Sequence, residues 1–304
     1  MIIPPYLRRG DTIGLVGPAG FMPVEKMQTC IETLEDWGYT VVLGRTAQSN
    51  SPDYFSGTDA ERLYDLQHML DDPQIKAILC VRGGYGVSRI IDDLRFKIFQ
   101  EHPKWIIGFS DITVLHSHLF ANYKTASLHA PMAAAFNNGG FNNRFVQSLK
   151  TVLEGTLAHY ESPPHDLNRM GKATGRLMGG NLTLLAHLIG TASEVNATGK
   201  ILFLEDVGEY LYNIDRMLLQ LARHGVFKKL AGLVVGGFTE LKDTERPFGK
   251  AVYDIIYAHV KHYGYPVCFN FPVSHATENY ALKIGVPHKL LVTANGAELK
   301  EKVT

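Results

Sequence analysis

Cysteine is scarce in this chain of 304 residues. Its three cysteines, Cys30, Cys80 and Cys268, form neither a CxxC pair nor a metal-ligand spacing, and Cys80 sits inside the apolar run Ile78-Leu79-Cys80-Val81. A disulfide framework and a zinc site are therefore not what organises the fold, and reduced, buried thiols fit a cytoplasmic compartment. An excess of one charge is also missing. Thirty basic and thirty acidic side chains cancel, so no global field recruits nucleic acid or an anionic membrane. No run of Lys and Arg with interleaved aromatics marks a local nucleic-acid patch. No uncharged apolar run approaches the roughly 20 residues that span a bilayer, and no apolar h-region follows Arg8-Arg9. HExxH, Walker and EF-hand sequences are absent, so neither a resident metal nor a P-loop is expected. Tryptophan is limited to Trp37 and Trp105. There is no internal repeat or low-complexity tract.

What is present is ordinary globular material, 45% hydrophobic and 20% charged. The length suits two domains with sizeable cores. Apolar runs at 12–16, 40–43, 75–81 and 105–107 read as buried strands. Between them, helices are expected from about Pro23 to Gly38, from Asp59 (as the cap) to Leu70, and from Val87 to about Leu94. This alternation predicts an α/β fold with a Rossmann-like, mainly parallel N-terminal sheet over residues 1–153. Residues 154–174 contain Pro163-Pro164 and scattered glycines with little periodicity, and read as a linker. Residues 175–304 read as a smaller mixed α/β domain. It has strands at 200–206, 230–237 and 267–269, helices at 212–223 and 248–263, and a short antiparallel element after Tyr280.

In parallel sheets, ligands sit beyond the carboxyl ends of the strands. Three of those ends are suggestive: the glycine turn at 17–20, Arg82-Gly83-Gly84-Tyr85-Gly86, and Gly108-Phe109-Ser110-Asp111. Ser110 lies between a strand end and a helix start, the setting of a nucleophile elbow, although the second glycine of G-x-S-x-G is missing. Alternatively Ser110 or Asp111 caps the helix. A serine nucleophile needs a base and a group to hold that base. Thirteen histidines compete. His116 and His118 follow on the serine's own helix but do not share a face. His275 stands in a loop just after a strand, and could be catalytic or structural. Glu205 ends the apolar run Ile201-Leu202-Phe203-Leu204, where a carboxylate must find a partner: His275, Arg216 or a helix end. Glu205 and Asp206 point to opposite faces, so only one of them can face His275. Backbone amides of Asp111 and of Gly83 or Gly84 are candidate oxyanion donors, and Arg82 is a candidate for a substrate carboxylate. Gly14, Gly17 and Gly20 give G-x-x-G-x-x-G, off the dinucleotide pattern. With Arg45 facing a 2′-phosphate, they keep an NADP-dependent oxidoreductase as one alternative. A non-catalytic ligand-binding protein is the other.

Five segments occur in order: Val81-Arg82-Gly83-Gly84-Tyr85-Gly86, Gly108-Phe109-Ser110-Asp111, Met178-Gly179-Gly180-Asn181, Leu204-Glu205-Asp206 with Ile214-Asp215-Arg216-Met217-Leu218, and Val273-Ser274-His275. Together they resemble the LD-carboxypeptidase family of serine peptidases, the muramoyltetrapeptide carboxypeptidases, over essentially the whole chain. The resemblance implies Ser110 as nucleophile, Glu205 as acid and His275 as base. It implies Gly84, Gly83 and Asp111 at the oxyanion site; Arg82 and Asn181 are expected among the substrate-binding residues. It further implies a homodimer, no cofactor, and removal of the terminal D-alanine from cytoplasmic murein tetrapeptides during cell-wall recycling. The same family contains relatives that inactivate microcin C-type toxins by cleaving acyl-adenylate analogues. Those relatives are expected to carry an added aromatic loop, and neither tryptophan here lies in an obvious insertion.

Overall fold

The computed structural model describes residues 1–303. The chain forms two compact units, one of Met1–Thr156 with Tyr280–Lys283, the other of Leu157–Asn279 with Ile284–Thr304. In chain order the first contains β1 (Thr12–Val16), α1 (Gln28–Asp36), β2 (Thr40–Leu43), α2 (Asp59–Asp71), β3 (Ile75–Cys80), α3 (Lys97–Glu101), β4 (Trp105–Gly108), α4 (Thr113–His118), β5 (Ser127–His129) and α5 (Arg144–Leu153). The strands lie in the order β5-β4-β3-β1-β2 and pair in parallel. The expected mainly parallel α/β architecture is what the chain adopts. β4 is buried along its whole length and β3 at all but Lys76, which is why both read as unbroken apolar runs rather than alternating ones. Strand order reverses between β1 and β3. Their carboxyl ends carry the two glycine turns, at the switch point where doubly wound sheets bind ligands.

Two helix expectations change. The residue capping α2 is Thr58, not Asp59: its hydroxyl accepts the Glu61 N–H while the Glu61 carboxylate accepts the Thr58 N–H, a capping box. The expected helix from Val87 to Leu94 is two 3-10 turns, Val87–Arg89 and Ile91–Asp93. The apolar residues Val87, Ile90, Ile91 and Leu94 are buried as expected, but spacings of three serve a 3-10 turn as well as an α-helix.

The second unit contains β6 (His159–Ser162), β7 (Gly171–Asn181), α6 (Leu182–His187), β8 (Ile201–Val207), α7 (Leu211–His224), β9 (Gly232–Thr239), α8 (Val252–Val260) and β10 (Val267–Cys268). The chain then gives β11 (Leu282–Ile284) to the first sheet, beside β5, and ends with β12 (Pro287–Thr293) and β13 (Gly296–Glu301). The second sheet runs β10-β9-β8-β7-β12-β13-β6. It is parallel from β7 to β10 and antiparallel from β7 through β12 and β13 to β6.

The stretch 154–174 is thus not a linker: it holds β6 and the first residues of β7. β6 is a four-residue edge strand whose side chains alternate exposed and buried, and the start of β7 is half-exposed and rich in small and polar residues. Too few apolar side chains are present there to reveal a period of two.

Candidate active site

β4 ends at Gly108, with φ 156. A Cβ there would lie 2.8 Å from the Ile112 side chain, so the turn admits only glycine. Phe109 is extended, and Ser110 follows at φ 63. Left-handed backbone at a serine costs about 1–3 kcal/mol and persists where the surroundings over-determine it. A strained serine at a strand-to-helix turn is the nucleophile-elbow arrangement. The capping alternative does not hold. Neither the 3-10 turn Ser110–Ile112 nor α4 is closed by a side-chain cap, and Asp111 looks elsewhere: its buried Oδ2 accepts the Val87 N–H at 2.8 Å. Burial pushes the Asp111 carboxyl up to about 6, while the Val87 N–H and the charge of Arg62 pull the other way.

The glycine-rich turn after β3 lies against this elbow. A Cβ on Gly83 would fall 2.9 Å from Ser110 Cβ, 3.2 Å from its Oγ and 3.3 Å from the Asp111 nitrogen. Gly84 adopts φ 99, and on it a Cβ would meet the Tyr54 hydroxyl at 2.8 Å. Both positions therefore need glycine, one for approach and one for conformation. Arg82 is exposed and donates through Nη1 to the Phe21 carbonyl at 2.7 Å.

The first glycine turn is filled by the chain itself. The Gly17 N–H donates to Thr46 Oγ1 and the Gly20 N–H to the Gly83 carbonyl, each at 3.0 Å. A Cβ on Gly17 would meet Ser56 Oγ at 2.6 Å. The Gly17 and Gly20 amides are thus committed within the protein, which counts against the NADP alternative.

In the second unit, β8 delivers Glu205 and Asp206 to its carboxyl end with their side chains diverging. Fully buried Glu205 accepts at Oε2 from His275 Nδ1 at 2.5 Å, and the His275 side chain is 15% exposed. Arg216, the competing partner, bonds Asn213 and lies over the Tyr212 ring instead. Burial by itself would lower the imidazole pKa. The hydrogen bond and charge of Glu205, with the charges of Asp206 and Glu240, outweigh it and hold His275 above the usual histidine value. A carboxylate on Nδ1 fixes the tautomer and makes Nε2 the basic nitrogen of the neutral ring. Ser274 pins the loop that carries this histidine: its Oγ donates to the Glu278 carbonyl at 2.9 Å and accepts the Ala276 N–H at 3.0 Å.

Asp206 goes to the other face. It accepts from Asn181 Nδ2, the Val207 N–H and both the N–H and the hydroxyl of Thr183, at 2.8–2.9 Å. Burial and the neighbouring Glu205 charge still push it up to about 6. Asn181, expected among the substrate-binding residues, caps α6 through Oδ1 while its amide holds Asp206. The residue is 3% exposed, and capping a helix start is a common use of asparagine.

Two family descriptions match this chain: the LD-carboxypeptidase N-terminal domain over residues 13–130 and the LD-carboxypeptidase C-terminal domain over residues 174–290. The chain belongs to the LD-carboxypeptidase family. This LD-carboxypeptidase is 35% identical over 285 residues to a probable murein peptide carboxypeptidase of Bacillus subtilis, covering 93% of the chain and 89% of the relative. It is 31% identical to the murein tetrapeptide carboxypeptidase of Pseudomonas aeruginosa, with 90% and 91% covered. The crystal structure of muramoyltetrapeptide carboxypeptidase from Oxalobacter formigenes superposes with a TM-score of 0.87 at 28% identity, over 96% of this chain and 99% of that one. The microcin C7 self-immunity protein MccF, solved with aspartyl sulfamoyl adenosine, reaches the same TM-score at 21% identity over 99% of each chain, which shows a shared fold.

Among the described residues of the LD-carboxypeptidase, no helix is long and apolar enough to cross a membrane, and no group of three or more His, Cys, Asp or Glu could hold a metal ion. Trp37 and Trp105 are both buried, so neither offers an indole for stacking on a base. Two residues near the elbow take places that sequence reasoning did not give them. Arg62 is fully buried on α2, and His116, set aside as a base, lies buried beneath the turn. His116 donates from Nε2 to the Gly108 carbonyl at 2.8 Å and accepts from Ser127 at Nδ1 at 2.9 Å. Burial pushes His116 down to about 4, so it is neutral. Arg62 was detectable as an arginine on the same stripe as Leu66 and Met69. His116 gave no such signal, because its partners are 8 and 11 residues away.

Proposed function

We propose that this LD-carboxypeptidase removes the terminal D-alanine from murein tetrapeptides by acyl transfer through Ser110. The observation that carries the reading is the left-handed serine at the end of β4, strained, free of any capping role and packed against Gly83. The bond between His275 and Glu205 supports the other half of the chemistry, and relatives named for murein peptides support the substrate.

In this mechanism His275 Nε2 takes the Ser110 proton as Oγ attacks the carbonyl of the L-centre before D-alanine. Glu205 holds the imidazole and stabilises its protonated form. The amides of Asp111 and Gly84 receive the oxyanion. The C–N bond then breaks as His275 gives the proton to the leaving amine, releasing D-alanine. Water, deprotonated by His275, hydrolyses the acyl-enzyme and regenerates Ser110. Arg82 is the cation for the substrate's terminal carboxylate. A cytoplasmic location accords with three free, buried cysteines, and the homodimer implied by the family resemblance belongs to the same reading, checked by sedimentation. D-alanine release from purified murein tetrapeptide, measured for the wild type and Ser110→Ala, tests the assignment. Turnover that survives the substitution defeats it.

A further inference from the structure

The peptide group joining Gly86 to Val87 is gripped at both ends by buried, oppositely charged side chains. Arg62 Nη1 donates to the Gly86 carbonyl at 3.0 Å, and Asp111 Oδ2 accepts the Val87 N–H at 2.8 Å. Both side chains belong to residues with no solvent exposure. The cation meets the negative end of the peptide dipole and the carboxylate its positive end, so both contacts are of the stronger, charge-assisted kind. Gly86 is required for this approach: at φ 153, a Cβ there would lie 2.6 Å from Arg62 Nη1. Arg62 is itself fixed by the Pro18 carbonyl at 2.6 Å, the Gly57 carbonyl at 3.2 Å and Asp59. Asp111 is bonded in sequence to Ser110, and the clamped peptide follows Gly83 and Gly84 by only a few residues. The two charges therefore set the distance between the serine and the glycine turn.

We propose that Arg62 and Asp111 act as a charged clamp on the Gly86–Val87 peptide, positioning residues that hold the Gly83–Gly84 backbone where the oxyanion forms. This rests on Ser110 being the nucleophile. A clamp of this kind affects the transition state more than substrate affinity, so its loss lowers kcat and leaves KM nearly unchanged.

The test is steady-state kinetics on murein tetrapeptide, with thermal unfolding in parallel, for Asp111→Ala, Asp111→Asn, Arg62→Met and the double variant Arg62→Met/Asp111→Ala. Asp111→Ala is expected to cut kcat by about 10²-fold, the usual cost of a misplaced oxyanion donor, with KM changed less than about threefold. In Asp111→Asn the amide oxygen still accepts the Val87 N–H, and this variant recovers about tenfold or more of the loss. Because both residues act on one peptide, the double variant falls only a few-fold below the worse single one rather than by the product. A kcat for Asp111→Ala within about threefold of wild type, or losses that multiply, overturns the clamp. If Asp111→Ala does not fold, Arg62→Met decides: reduced kcat at constant KM supports the clamp, and a raised KM at constant kcat overturns it. Ser110→Ala separates the two readings. If it remains active both fall; if it is inactive while Asp111→Ala is unaffected, only the clamp falls.

Discussion

Ser110 in the first unit and His275 in the second are held in place by different forces. Around the serine the work is steric and conformational: a left-handed residue, a glycine before it and a glycine turn pressed against it. Around the histidine the restraint is electrostatic, a buried carboxylate 2.5 Å from Nδ1 with two more acids adding their field. A nucleophile must be presented at one angle, which backbone geometry can fix. A base must sit at one pKa, which burial, hydrogen bonding and charge set together. Substitutions should therefore affect the two residues through different observables.

The largest effect belongs to the serine itself. Ser110→Ala should lower D-alanine release by about 10⁶-fold, the loss seen when an acyl-transfer nucleophile is removed, with little change in unfolding temperature. Next comes the electrostatic side, where Glu205→Gln should cost about 10⁴-fold by losing the correct tautomer. It should also move the pH profile. A protonated imidazole cannot accept the serine proton, so kcat/KM should rise with pH through an apparent pKa above 6.5. Glu205→Gln should shift that midpoint downward, and an unmoved midpoint would place the raised pKa elsewhere. Stability obeys the same sign. A folded-state pKa above the unfolded value adds stability below pH 6.5 that is lost as pH rises through the folded value. Urea unfolding of the wild type and Glu205→Gln at acid and neutral pH reads that difference.

The steric side breaks in another way. Gly83→Ala places a methyl 2.9 Å from Ser110 Cβ and should reduce kcat by about 10²-fold, without moving the pH midpoint. Gly190→Ala makes the contrast: at φ 81 with open space around it, it should cost about 1 kcal/mol of stability and leave kinetics alone. Smallest is Thr58→Ala, which opens the capping box of α2 and should lower stability by about 1 kcal/mol in urea unfolding.

The same contrast explains what the sequence makes legible. Ser110 stands just past β4, Glu205 lies near the carboxyl end of β8 and His275 in the loop after β10, and the ends of β4 and β8 are readable because burial on both faces leaves unbroken hydrophobic runs. Sequence reasoning could also see that only one of Glu205 and Asp206 would reach the histidine, since alternation along β8 forces the choice. It could not see Arg62 bonded to carbonyls 24 and 44 residues away, or the Asp111 carboxylate reaching back to Val87. Those bonds run to turn residues, and turns carry no period. β6 hid in a polar stretch for a similar reason, and β11 is a three-residue strand whose place in the first sheet no local pattern encodes.

Mass spectrometry of the protein quenched in acid during turnover of murein tetrapeptide reads the central claim most directly. The account predicts an adduct on the peptide bearing Ser110, heavier by the tetrapeptide less D-alanine, that is absent in Ser110→Ala. D-alanine release with no adduct on Ser110, and undiminished in Ser110→Ala, would contradict it.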